Sequence, residues 1–356
     1  MIRILIVEDS RVVRLYLQAV LRDAEGIEVV GTSADGIDAV AQAIALRPDV
    51  ILMDLQLPGQ SGLHAIQDIM AEAPCPIIVL SGLLQTSQCK LTFEALRLGA
   101  LDALRKPEGV AAADVADFRG RLLCSIRGLI AAMGGRRKLT RRIHTTPRQF
   151  IAGLDDDLTS PSPLLAAGRA APVVVAIGAS TGGPATIQAI LSAIPAPFPL
   201  PILITQHIMS GFAEGYAAWL NGTKHAVRVG SEGDDLLPGV VLVSPGDRHM
   251  VLGADDRVHL EPADAFWPCP SVDALLASVA RSFDRRAFGI VLTGMGRDGA
   301  QGLLALRAVG ARTVAQSPES CVINGMPQAA VDADAAEAVL SPSGLVDVLK
   351  ELATHV

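Results

Sequence analysis

Residues 173–194 read VVVAIGASTGGPATIQAILSAI: an apolar run, a glycine turn, then a stretch with helical period over Pro184–Ile194. An apolar run of this length bounded by glycine reads as a buried strand. A strand feeding a helix through a tight turn is half of a βαβ unit. The alternation continues downstream. PILITQH (201–207) and GVVLVSP (239–245) read as strands and SVDALLASVARSF (271–283) as a helix. FGIVLTGMG (288–296) and TVAQSP (313–318) read as two more strands, separated by a helix over Ala300–Val309. This pattern predicts a doubly wound, mostly parallel, Rossmann-like α/β domain over residues 171–356.

The first 125 residues carry the same signal independently. Apolar runs at Ile2–Val7, Ile27–Gly31, Val50–Leu55, Ile77–Leu80 and Ala100–Leu104 alternate with helical patterns such as Val12–Ala24 and Ile37–Leu46. Five such units predict a flavodoxin-like α/β sheet. Between the two domains, residues 126–170 are expected to form a linker. They include the basic stretch GGRRKLTRRIHTTPR (134–148), then Asp155-Asp156-Asp157 and TSPSPLLAAGRAAP. Charge blocks mixed with Ser, Pro and Gly read as solvated connecting chain.

Composition narrows the function. The 356 residues are 50% hydrophobic, enough for two cores, and carry a formal net charge of −7. Nucleic-acid binding needs a basic face, so mild acidity excludes a general role of that kind. The five cysteines (Cys75, Cys89, Cys124, Cys269 and Cys321) have no CxxC spacing, which argues against a disulfide framework or zinc site and for a reducing compartment. MIRILIVEDS lacks the form of a signal peptide, and no apolar run reaches membrane-span length. A cytoplasmic protein, monomeric and without direct membrane insertion, is expected.

In open parallel sheets, functional groups collect at the carboxyl ends of strands. In the first domain those ends carry Glu8 and Asp9, Asp54, Ser81, and Lys106 before Pro107. Crowded carboxylates repel unless a cation offsets them. Mg²⁺ suits hard oxygen ligands, and a lysine would neutralise an incoming phosphoryl group. This pattern resembles the receiver domain of response regulators over residues 1 to 120 or so. The resemblance implies that Asp54 accepts a phosphoryl group from a histidine autokinase. It further implies that Glu8, Asp9, Asp54 and the carbonyl of Gln56 hold Mg²⁺, and that Ser81 and Lys106 contact phosphoryl oxygens. Two positions depart from the family: Ala103 stands where an aromatic reporter is usual, and Ser61 where an acid is common.

In the second domain, Gly178-Ala179-Ser180-Thr181-Gly182 is a G-x-S-x-G turn between strand and helix, the setting of a nucleophile elbow. A phosphate-binding glycine turn is the competing reading, but the loop has no lysine and no G-x-G-x-x-G. The helix after the turn offers N–H groups to an oxyanion. A serine nucleophile needs a base. His207 ends the next strand, and His249 in SPGDRHM is its rival; His225 and His259, flanked by polar residues, read as surface histidines. Asp298 in LTGMGRDG is placed to orient the histidine, although an Asp-Gly turn is also just a turn. The order Ser, His, Asp differs from the Ser, Asp, His order of α/β-hydrolases, so a different fold is expected.

GASTGGP, TQH, LTGMGRDGAQG, TVAQ and GMPQAA together resemble the catalytic domain of the chemotaxis protein-glutamate methylesterases, the CheB family, over about residues 172–345. The resemblance implies a triad of Ser180, His207 and Asp298 and an oxyanion hole from the backbone of Thr181 and Met295. It implies hydrolysis of glutamyl methyl esters, and deamidation of selected glutamines, on the cytoplasmic domains of methylated chemoreceptors. No metal is implied for that chemistry. Cys269 before PSVD replaces a residue that is usually basic. Two other functions compete: a non-catalytic, phosphorylation-controlled adaptor, and the same serine hydrolase acting on another protein. In the expected control scheme, the receiver covers the serine until Asp54 is phosphorylated.

Overall fold

The structure, a computed structural model, describes residues 1–82, 86–107, 112–133, 163–165, 170–208, 211–263 and 268–354. The chain divides into two compact units, Met1–Thr146 and Pro147–Val356.

The first unit is a five-stranded sheet in the order β2-β1-β3-β4-β5. Its strands are β1 (Ile2–Val7), β2 (Ile27–Ser33), β3 (Val50–Asp54), β4 (Ile77–Ser81) and β5 (Asp102–Arg105). Every pairing is parallel. Helices α1 (Arg11–Arg22), α2 (Gly36–Leu46), α3 (Gly62–Glu72) and α4 (Thr86–Arg97) make the crossovers, and α5 (Ala112–Met133) follows β5. Helices on both faces explain why β3 and β4 are buried at every position and apolar up to their last residues, Asp54 and Ser81. Local caps fix where helices begin: Ser10 Oγ accepts the Val13 N–H, and Asp35 accepts the Asp38 N–H. The strand order reverses between β1 and β3. That switch point opens a crevice at the carboxyl ends of those strands.

The second unit has a seven-stranded, wholly parallel sheet, ordered β14-β13-β12-β6-β7-β9-β8. The strands are β6 (Val174–Ala179), β7 (Ile202–Gln206), β8 (Ala226–Val229), β9 (Val240–Val243), β12 (Ala287–Val291), β13 (Arg312–Gln316) and β14 (Ala338–Leu340). An antiparallel ribbon, β10 (Arg248–Leu252) with β11 (Val258–Pro262), stands apart. Helices α6 (Gly183–Ala193), α7 (Ala213–Leu220), α8 (Val272–Phe283), α9 (Ala300–Ala308), α10 (Met326–Asp332) and α11 (Pro342–Thr354) complete the unit. Val174, Leu203, Leu276, Val279 and Leu303 belong to one buried cluster under α8 and α9. Burying each such side chain contributes roughly 1.5–3 kcal/mol. The chain builds outward from β6 through β7 on one side and through β12 on the other. The switch point therefore falls between β6 and β12.

Two sequence expectations need correcting. Helix α5 runs to Met133, past the expected boundary at 125. At the far end of the expected linker, Pro163–Leu165 form a 3₁₀ turn with Leu164 buried. Buried Arg312 donates from Nε to Leu164 O (2.6 Å) and from Nη1 to Ala170 O (2.5 Å). This stretch is thus fastened to the second unit. The rest of the expected linker, 134–162 and 166–169, lies outside the described residues. His225 is not a surface histidine: it is 3% exposed, and its Nε2 lies 2.9 Å from Leu191 O. Among the described residues, no helix is long and apolar enough to cross a membrane.

Candidate active site

Ser180 follows β6 directly, half-buried, at the mouth of the β6/β12 switch point. Its N–H donates to Thr293 O (3.0 Å), and its own carbonyl accepts from Gly183 N (2.8 Å). The turn needs glycine at Gly182, where φ is +80° and a Cβ would lie 2.6 Å from Val322 Cβ. Gly294 has no room either. A Cβ there would lie 2.7 Å from Ser180 Cβ and 2.3 Å from Met326 Sδ. The loop after β12 is therefore pressed against the serine, and Thr293 Oγ1 donates to Thr181 O (3.0 Å) in the turn that follows it.

His207 follows β7 in register, its N–H donating to Ala179 O (2.9 Å). Gln206 Nε2 donates to Ser180 O (2.9 Å) and His207 O (3.2 Å), tying the two strand ends together. His207 Nε2 lies 2.7 Å from Asp298 Oδ2. Nδ1 is then the ring nitrogen left to serve the serine. Among the described residues Ser180 and His207 share no hydrogen bond; such bonds often close only when substrate binds.

Asp298 is the most heavily solvated by protein of the three. Oδ1 accepts from Ser271 Oγ (3.0 Å), Asp273 N (2.9 Å) and Gly299 N (3.1 Å), and Oδ2 accepts from Val272 N (2.7 Å) as well as facing His207. Ser271 is the N-cap of α8, so the carboxylate sits at a helix N-terminus, where negative charge is favoured. Burial opposes its ionisation. His207 and the N–H groups of Asp273 and Val272 outweigh that and hold its pKa below the usual 3.8. A depressed folded pKa means that its stabilising effect is complete above the unfolded value and disappears as pH falls through the folded one. The gap in urea midpoint between wild type and Asp298→Asn is therefore expected to close below about pH 3.8. A gap that stays constant from pH 6 to pH 3 would contradict this.

The rival base, His249, lies inside β10 and is fully buried. Its Nδ1 accepts from Ser271 N (3.0 Å). It stands behind Asp298, not in front of Ser180. Cys269, half-buried, has its thiol pushed up by burial and by Asp247, so it stays protonated.

In the first unit, one ligand oxygen each from Glu8, Asp9 and Asp54 lie within 4.8 Å of one another. Lys106 Nζ reaches Glu8 Oε2 (2.6 Å) and Asp54 Oδ2 (2.7 Å). Ser81, buried, accepts the Lys106 N–H at its carbonyl (2.8 Å), and the Gln56 N–H donates to Asp54 Oδ1 (3.1 Å). Burial raises the pKa of Glu8; Asp54 adds to the rise and Lys106 opposes it. One lysine for three carboxylates leaves the pocket short of positive charge, a donor set that fits a hard divalent cation.

A family model described as CheB methylesterase matches residues 175–349, and one described as response regulator receiver domain matches residues 4–113. A protein-glutamate methylesterase/protein-glutamine glutaminase of Anaeromyxobacter dehalogenans is 41% identical over 354 residues, covering 98% of both chains. One from Geobacter metallireducens is 40% identical, covering 99% of both. The chain belongs to the CheB methylesterase family. Among solved structures, the Thermotoga maritima CheB catalytic domain is 33% identical (TM-score 0.49), covering 51% of this chain and 99% of that one. The receiver domain of T. maritima CheB is 38% identical (TM-score 0.33), covering 36% of this chain and 94% of that one.

Membership of the CheB family agrees with the two-domain reading of the sequence. Three residues of the site were not singled out from sequence: Gln206, Ser271 and Asp273. Gln206 adjoins the candidate base, and Ser271 before Val272-Asp273 carries an N-cap signal. Nothing local connects either to Asp298.

Proposed function

We propose that the second unit hydrolyses γ-methyl glutamyl esters on chemoreceptors, and amide side chains of selected glutamines, through Ser180, His207 and Asp298. The observation that carries this reading is the 2.7 Å pairing of His207 Nε2 with Asp298, one strand from Ser180. His207 Nδ1 takes the Ser180 proton while Oγ bonds to the ester carbonyl carbon. Thr181 and Met295 N–H groups stabilise the resulting oxyanion. The C–O bond to the methoxy group breaks, and His207 returns the proton to form methanol. Water then adds under the same base and releases glutamate and free Ser180. With glutamine, ammonia leaves instead of methanol. Asp298 keeps His207 in the tautomer protonated at Nε2 and supports the imidazolium.

The first unit acts as the regulatory receiver. Asp54 accepts the phosphoryl group from a histidine autokinase; Ser81 Oγ and Lys106 Nζ meet its oxygens. Glu8, Asp9, Asp54 and the Gln56 carbonyl would hold Mg²⁺, which offsets charge on the transferring phosphoryl group. A protein working on the cytoplasmic part of receptors acts in the cytoplasm.

The test is methanol release from methylated receptor membranes, with and without a phosphoryl donor. The donor is expected to raise the rate, and Asp54→Asn to remove that rise. An equal rise in the variant would refute Asp54 as acceptor. The pocket also makes a thermal prediction. Because the folded pKa of Glu8 is raised above 4.5, its ionisation opposes folding as pH climbs past that value. At neutral pH, Glu8→Gln should raise the melting temperature of the metal-free protein, while blunting the further rise that Mg²⁺ gives wild type. Calorimetry with Mg²⁺ and with a chelator reads both effects.

A further inference from the structure

The two histidines of the β7 end and the β10 ribbon bracket one carboxylate. On one side His207 Nε2 faces Asp298 Oδ2 at 2.7 Å. On the other, Ser271 Oγ donates to Asp298 Oδ1 at 3.0 Å, and the Ser271 N–H donates to His249 Nδ1 at 3.0 Å. A backbone N–H can only donate, so His249 Nδ1 must accept and its ring proton lies on Nε2. We infer that His249 is a positioning residue for the esterase reaction, acting through Ser271 to hold Asp298 in line with His207. This rests on the Ser180–His207–Asp298 reading of the site.

Three observations carry it. First, His249 is 0% exposed and Ser271 4%, so the Ser271 N–H has no solvent to fall back on; a buried donor that loses its acceptor must shift to find another. Second, that N–H belongs to the N-cap of α8, the residue whose Oγ also accepts from Ala274 N (3.2 Å). Its next two neighbours along the chain, Val272 and Asp273, donate their N–H groups to the same carboxylate. Moving Ser271 therefore disturbs three of the contacts that aim Asp298. Third, the other histidines outside the triad, among the described residues of this unit, have different duties: His225 bonds Leu191 O, and His259 pairs with Glu232 and Asp255 at the surface. A buried imidazole on a strand could be replaced by a leucine for packing alone. Its acceptor nitrogen, turned to the cap of the helix that holds the triad acid, is the part that packing does not require.

Asparagine places Oδ1 where histidine has Nδ1; leucine fills similar space with no acceptor. The full-length chain, treated with acetyl phosphate and supplied with methylated receptor membranes, would be assayed as wild type, His249→Leu, His249→Asn and Ser271→Ala. His249→Leu is expected to lose kcat by up to about 10²-fold, the usual effect of a small misplacement of reacting groups, with KM within about twofold. His249→Asn should recover most of that loss, and Ser271→Ala should lose kcat in the same manner as His249→Leu. Wild-type kcat in folded His249→Leu would overturn the inference, as would a folded His249→Asn no better than leucine. If His249→Leu does not fold, Ser271→Ala decides: reduced kcat at constant KM supports the role, and unchanged kcat overturns it. Ser180→Ala is run alongside. Methanol release surviving in that variant would refute the triad itself, a failure distinct from any result at His249.

Discussion

Ser180→Ala should release methanol from methylated receptor membranes at a rate at least about 10⁴-fold below wild type, because removing the nucleophile disables the whole triad at once. The substitution is structurally mild. Ser180 is held by its backbone, N–H to Thr293 O and carbonyl from Gly183 and Gln206. Alanine keeps all three bonds and fits the space beside Gly294. Melting temperature should stay within a few degrees of wild type, and phosphoryl uptake at Asp54 should be unaffected. Methanol release near the wild-type rate would show that Ser180 is not the nucleophile and return the glycine turn to the phosphate-binding reading.

Asp298→Asn is expected to lower kcat by about 10⁴-fold, the effect of presenting a histidine in the wrong tautomer. The structure gives the reason. The groups around this carboxylate — Ser271 Oγ and the N–H of Val272, Asp273 and Gly299 — are donors. An amide brings two donors of its own into a setting built for an acceptor. Relief comes most easily if its NH₂ turns to His207 and takes Nε2 as acceptor. The imidazole proton then moves to Nδ1, the nitrogen that must be bare to receive the serine proton. Unlike Ser180→Ala, this variant should also lose stability, roughly 1–3 kcal/mol for the donors left unpaired. Activity loss together with a lowered urea midpoint at pH 7 is the expected signature. A fully active Asp298→Asn would remove Asp298 from the mechanism.

Much of the fold was legible because parallel strands covered on both faces must be apolar throughout. Ile2–Val7 matches β1 at both ends, Ser81 ends β4 as expected, and His207 stands one residue past the end of β7. What escaped notice was short or depended on distant contacts. Strands β8 and β14 are four and three residues long, too brief for periodicity to register. His225 was misread because its neighbours are polar. Lys224 adopts a left-handed backbone, φ 71°, and the chain reverses so that the ring turns inward. His249 was recognised as near a strand end, yet only the β10–β11 ribbon and its contact with Ser271 reveal which side of Asp298 it occupies. In the first domain the acids were plain, while the ion pairs of Lys106 with both Glu8 and Asp54 required three dimensions.

The placement of Ser180, His207 and Asp298 has a consequence for how this enzyme fails on heating. They follow β6, β7 and β12, three neighbours in the middle of a seven-stranded sheet. The spacing of Ser180 and His207 is set by the strand repeat of about 4.8 Å, while Asp298, in the loop beyond β12, is held by the N-terminus of α8. Central strands exchange their amide hydrogens only when the whole unit opens. Slow amide exchange in Val174–Ala179 and Ile202–Gln206 should then track the lifetime of the Ser180–His207 spacing, and with it of esterase activity, at each temperature.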